Sequence, residues 1–387
     1  MALGAGSLVN GLVALAWIRV GTLAYGAAAF APVSVVWSVW SVSVAVLTFP
    51  VQHWTIRELR RDGGAAVRRT ATRLMLLAVA AGVATASVAA LLGADVLRTD
   101  SWVSPVTMGV VVAAAVPIGW VRGQLVAQDR TSAAALMIGC ENLLRLVGAG
   151  VVVLSGLSVE VFLGTLVLGP LILLGWPGLL RFSRAGGPAV SLRDVGELSA
   201  ANSLSQVSLA GAPILMALLG APDRLVTAVF GTLSLARAPY LVLLGASMRL
   251  TALWSDDRRR GLTRGRIAVA TVLLAGVAAL VGGLVGPWIV ALAFGPDTAL
   301  PPVATGAVSA GATLALGTLV MTSRYTTEDD TAGLARAWVL ATVLGALGLA
   351  VPSSALVRVL TWFVLTEALA VVLLGSRRLT PRRPRSP

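Results

Sequence analysis

The chain has 387 residues, of which 57% are hydrophobic and 12% charged, with a mean hydropathy of +0.88. A soluble domain carries about 25% charged residues, so this composition excludes a soluble enzyme, a disordered chain and a coiled coil. Repeated apolar runs of about 20 residues indicate a polytopic all-α membrane protein instead. The net charge of +13 comes from 30 arginines and no lysine, set in short patches between the apolar runs rather than on one nucleic-acid-binding face. One cysteine (Cys140) excludes an internal disulfide, one histidine (His53) excludes a histidine-rich metal cluster, and without lysine there is no P-loop. No catalytic residue, cofactor or metal is expected, and nucleic acid is not an expected partner.

In chain order the apolar runs predict twelve membrane helices, at about 3–27, 31–56, 74–94, 105–127, 134–155, 161–180, 197–219, 226–250, 267–290, 303–322, 337–352 and 355–374. The first is read as a retained span rather than a cleaved leader. Only Pro352, Ser353 and Ser354 separate the last two. The arginines sort by connection: 23 lie in even-numbered connections and the tail, three (Arg98, Arg224, Arg358) in odd-numbered ones, and four within spans. The positive-inside rule then predicts both termini in the cytoplasm of a multi-pass plasma-membrane protein.

The pattern recurs at half the chain length. Arginine-rich loops follow the second helix (57–73) and the eighth (251–266). Small or polar stripes at Ser34, Ser38, Ser41, Ala45, Thr48 and Gln52, and at Thr227, Gly231, Ser234, Ala238, Leu241 and Gly245, each keep to one helical face. Six helices per repeat give two parallel lobes, 1–180 and 197–376, with a cytoplasmic linker at 181–196 and a basic tail at 377–387. Parallel repeats build transporters with the substrate between them, and close packing of small residues explains the stripes equally well.

Charges within spans need partners or water. Arg19, Glu141, Arg145, Arg237 and Glu367 fall in that class, whereas Arg122 and Arg57 stand near helix ends and can snorkel. Glu141 and Arg145, at i and i+4, are spaced for an ion pair. They serve either to neutralise each other or, with Arg145 facing a cavity beside Arg19 and Arg237, to hold a phosphate or pyrophosphate. Glu141 or Glu367 is the candidate for a coupling proton or Na⁺. Asn10, Asn202 and Gln206 are amides suited to sugar hydroxyls or to helix–helix contacts.

Three runs carry a family resemblance: AAFAPVSVVWSVWSVSVAVLTFPVQHWTIREL (28–59), WVRGQLVAQDRTSAAALMIGCENLLRLVGAGVVVL (120–154) and LSLARAPYLVLLGASMRLTALWS (233–255). They resemble the polysaccharide flippases of the multidrug/oligosaccharidyl-lipid/polysaccharide exporter superfamily. The resemblance implies a two-lobed transporter with a cationic cavity holding Arg19, Arg57, Glu141, Arg145 and Arg237. It also implies a polyprenyl-pyrophosphate saccharide as cargo for cell-surface polysaccharide biosynthesis, with the bilayer and polymerase or glycosyltransferase membrane proteins as partners. The alternatives are a major-facilitator-type transporter, whose loop motif fails at RELRRDGGAAVRR, and a non-transporting membrane subunit of a polysaccharide assembly complex. The run Glu328, Asp329 and Asp330 reads as a solvated loop.

Overall fold

The computed structural model describes residues 2–61, 64–180, 193–243, 263–327 and 331–376, and every regular element among them is helical. The first half comprises α1 (Ala2–Ala29), α2 (Ala31–Ser43), α3 (Phe49–Arg61), α4 (Gly64–Leu97), α5 (Val103–Ala127), α6 (Thr131–Leu154) and α7 (Val159–Gly164). The second comprises α8 (Arg193–Ala210), α9 (Ala212–Leu218), α10 (Asp223–Ala236), α11 (Arg264–Phe294), α12 (Pro302–Thr327), α13 (Thr331–Gly345) and α14 (Ala355–Ser376). The linker 181–192, the loop 251–262, the acidic run 328–330 and the tail 377–387 lie outside the described residues.

Nine stretches of the described residues are long and apolar enough to cross a bilayer. The other three expected spans are present but interrupted, each beside a proline that removes an N–H and crowds the carbonyl four residues back. The sixth starts as α7 and continues as 3₁₀ turns over Thr165–Gly175 and Pro177–Leu180, with Pro170 inside. The seventh divides at Gly211, two residues before Pro213. The eighth divides at Arg237, two residues before Pro239, and is helical again over 238–243.

The second span stays continuous but is rewound. Pro50 has no N–H for the carbonyl of residue 46, and the preceding turn, Val44–Thr48, is π-helical. It is clamped by α5. A Cβ on Gly119 would come within 2.4 Å of the Thr48 carbonyl oxygen, and one on Gly123 within 2.6 Å of Thr55 Cβ, so only glycine admits this approach. Thr48 Oγ1 donates to the Ala115 carbonyl at 2.9 Å.

Within the first half α1 packs on α6, and α3 and α4 on α5; within the second, α11 packs on α12, and α14 on α12 and α13. The halves meet where α1 and α2 face α8, α9 and α10. Trp17, Phe30, Trp37, Phe162 and Phe230 form the aromatic core of this seam. At its centre Ser34 Oγ lies 3.4 Å from Thr227 Oγ1, both side chains fully buried. These are corresponding residues of the two stripes, 193 positions apart, and they meet in the seam.

Candidate functional site: a cavity between the two halves

On the arginine-rich side of that seam the halves separate around a cavity of about 180 Å³. Its walls come from α1 (Asn10, Ala14), α2 and the π turn (Trp37, Trp40, Ser41, Ala45), α5 (Arg122), α6 (Glu141, Asn142), α8 (Gln206) and α10 with the turn after it (Ser234, Arg237). Most of the wall is apolar, with few polar groups converging on it, as in sites that fix the orientation of a ligand.

Glu141 lies 4% exposed and is shared by two guanidiniums: Arg122 pairs with Oε2, and Arg145 Nη2 with Oε1 at 2.8 Å. Arg145, fully buried, also donates to Asn142 Oδ1 at 2.5 Å and to the Leu166 carbonyl at 3.2 Å, and its guanidinium stacks on Trp40. Gly169 leaves the room for it, since a Cβ there would lie 2.3 Å from Nη2. Arg237 is different. It occupies the break in the eighth span, 8% exposed, and its one hydrogen bond among the described residues is to Ser41 Oγ at 3.3 Å. Around the cavity stand three guanidiniums and one carboxylate.

Among the described residues, five buried polar atoms on these walls have no hydrogen-bond partner: Asn10 Oδ1, Trp37 Nε1, Arg122 Nε, Ser234 Oγ and Arg237 Nε. Buried polar groups are ordinarily paired, and each one left unmade costs about 1–3 kcal/mol. Three of the five are obligate donors, so the vacant valences suit a ligand rich in oxygen acceptors.

The sequence candidates divide by position. Asn10, Gln206, Glu141 and Arg237 line the cavity, with Gln206 Nε2 donating to Tyr240 Oη at 2.7 Å. Arg145 is close behind the wall. Arg19 is exposed and reaches the Leu292 and Ala293 carbonyls, the latter at 2.7 Å, tying α1 to the end of α11 away from the cavity. Arg57 is exposed and pairs with Glu58 at 2.7 Å. Glu367 is buried in the second half, where Ser208 and Thr318 hydroxyls bond its two oxygens. Asn202 is on α8, with its side chain outside the described set. Arg122, Trp37, Trp40, Ser41 and Ser234 complete the walls without having been singled out as ligands from the sequence. Arg122 was assigned to snorkelling but is 5% exposed and paired.

The far side of the seam is bridged. Arg98, at the end of α4, donates to the Ala217 carbonyl at 2.9 Å and lies 3.4 Å from Asp223, so one guanidinium joins the first half to α9 and α10. Removing it with Arg98→Ala is expected to raise maleimide labelling of a cysteine placed at Ser34, in a Cys140→Ala background, several-fold. Unchanged labelling would show that the aromatic seam alone keeps this side shut.

No family model matches the chain. It is 30% identical over 271 residues, 65% of its length, to the uncharacterized protein Rv1510 of Mycobacterium tuberculosis, and equally to the MT1558/MT1560 protein of a second strain. The match spans 60% of those relatives' own length. Among solved structures, it is similar to an inward-facing multidrug resistance MATE family transporter of the MOP superfamily: TM-score 0.55, 17% identity, 96% of this chain and 91% of that one. It is likewise similar to a MOP superfamily transporter from Pyrococcus furiosus described as having a binding pocket of reverse polarity: TM-score 0.53, 14% identity, covering 97% and 93%. The fold is therefore MATE-like, with two lobes.

Proposed function

We propose that this chain is a membrane transporter that moves a lipid-linked saccharide, carried on a polyprenyl pyrophosphate, across the plasma membrane by alternating access. The observation that carries the reading is the set of unpartnered donors around one cationic cavity between two halves of a transporter fold. Guanidinium groups bind phosphate oxygens through paired hydrogen bonds. Arg122 from the first half and Arg237 from the second each present an Nε–H unpartnered among the described residues, so an oxyanion bonded by both is held by both lobes. A cationic ligand would instead meet the guanidiniums of Arg122 and Arg237.

The lipid tail has a separate route. Leu8 and Leu12, 48% and 58% exposed, line the cavity and also face outward from α1, and Val242 does so from the eighth span. This apolar edge lets a chain stay in the bilayer while its headgroup occupies the cavity. Rocking of the lobes then carries the headgroup from the arginine-rich side to the other, and an inside-negative potential assists an outward-moving anion.

Titration of tryptophan fluorescence with citronellyl pyrophosphate, against citronellol as control, tests the reading. A saturable change with the pyrophosphate alone is expected; equal responses to both would contradict it. Glu367 is the proposed coupling carboxylate, because no cationic side chain pairs with it among the described residues, whereas Glu141 is paired with two guanidiniums. Glu367→Gln is expected to preserve folding and to remove the dependence of transport on a pH or Na⁺ gradient. Gradient-driven transport at the wild-type rate in this variant would assign the coupling elsewhere.

A further inference from the structure

Indole side chains favour the headgroup level of a bilayer, yet Trp37 and Trp40 stand well inside the 31–60 span, on the cavity wall. Trp37 is 2% exposed and its Nε1–H has no acceptor among the described residues. Trp40 is only partly buried. The Arg145 guanidinium carbon lies 4.2 Å from a Trp40 ring centroid, and Trp37 packs against Trp40 in a T-shaped contact at 4.8 Å and 65°. Arg145 is itself immobilised by Glu141, Asn142 and the Leu166 carbonyl, in the space left by Gly169. A buried ion network thus holds one indole in place, and that indole lines the cavity.

An indole face carries negative quadrupole density and repels a phosphate, but it attracts the weakly positive C–H face of a neutral ring. Trp40 is therefore of no use to the oxyanion that Arg122 and Arg237 would hold. We propose that Trp40 is a stacking platform for a sugar ring next to the pyrophosphate, with Trp37 Nε1–H donating to an oxygen of that ring. Arg145 is a positioning residue that holds the platform and does not touch the ligand. This subsite rests on the oxyanion reading above, because the phosphate sets where the ring lies. A bare hydrocarbon tail would leave the Trp37 N–H unsatisfied, so it is the less suitable occupant.

The test compares two soluble probes on the purified full chain: citronellyl pyrophosphate and citronellyl-pyrophosphoryl-N-acetylglucosamine. The glycosylated probe is expected to bind roughly three- to tenfold tighter to the wild-type chain. Trp40→Ala removes most of that difference by weakening the glycosylated probe more than the bare one, and Trp40→Tyr retains most of it. Arg145→Gln lowers the sugar increment in the same way while bare-probe binding persists, which a general loss of structure would not do. Equal binding of the two probes to the wild-type chain, or equal weakening of both by Trp40→Ala, overturns the sugar subsite while the oxyanion reading stands. Binding of neither probe overturns the oxyanion reading, and the subsite with it.

Discussion

Arg237→Ala weakens binding of a pyrophosphate headgroup by about 1.5–3 kcal/mol, roughly 10- to 150-fold, and leaves the fold intact. The two halves of this expectation have one origin. Arg237 is buried at a helix break with a single weak contact to Ser41 and an unpartnered Nε. A charge held in that state contributes nothing to folding; on insertion scales it costs about 2.5–3.5 kcal/mol at mid-membrane. Truncating it relieves that cost, so the melting temperature of the purified protein stays level or rises. Arg237→Lys keeps the charge without the planar fork and restores only part of the affinity. Lost stability together with unchanged probe binding would make Arg237 a structural residue.

Glu141→Ala has the opposite profile. Its carboxylate is the shared partner of Arg122 and Arg145, and all three side chains are buried. Removing it leaves two guanidiniums facing each other without an anion, and breaking a buried ion pair by deleting one partner costs about 3–5 kcal/mol. The variant is expected to melt far below the wild-type chain in thermal unfolding monitored by tryptophan fluorescence. Replacing the whole cluster with Arg122→Gln, Glu141→Gln and Arg145→Gln should give a chain that melts above Glu141→Ala, because removing a buried ion cluster costs less than breaking it. A single variant melting within about 2 °C of wild type would show that water already screens this cluster.

The long spans were legible because a run of 20 apolar residues has one explanation in a chain this poor in charge. The three interrupted spans read as continuous, since hydropathy is blind to the backbone: Pro170, Pro213 and Pro239 are apolar in a sum and disruptive in a helix. The same blindness hid what makes Arg237 distinctive, its place at the break. Arg19 shows a second limit. Its depth in the first span could be read, but its direction around the helix could not, and it points to the end of α11 instead of into the cavity.

Arg122 was within reach of simple arithmetic. About the turn at 128–130 it precedes the bend by about seven residues and Glu141 follows it by about twelve. The offset of about five residues is roughly 7 Å of helical rise, a distance an arginine side chain covers. The pairing was therefore available from hairpin geometry, and assigning Arg122 to snorkelling overlooked it. The Trp40–Arg145 stack had no such signal, because it depends on the rotation of two helices and on the space at Gly169.

Native mass spectrometry of the protein extracted from its own membranes, beside Arg237→Ala, bears most directly on the oxyanion cavity. The account predicts a bound pyrophosphoryl lipid carrying saccharide on the wild-type chain and its loss from the variant, with bulk phospholipid equal in both. A pyrophosphoryl lipid retained by Arg237→Ala, or bulk phospholipid alone on both proteins, would contradict it.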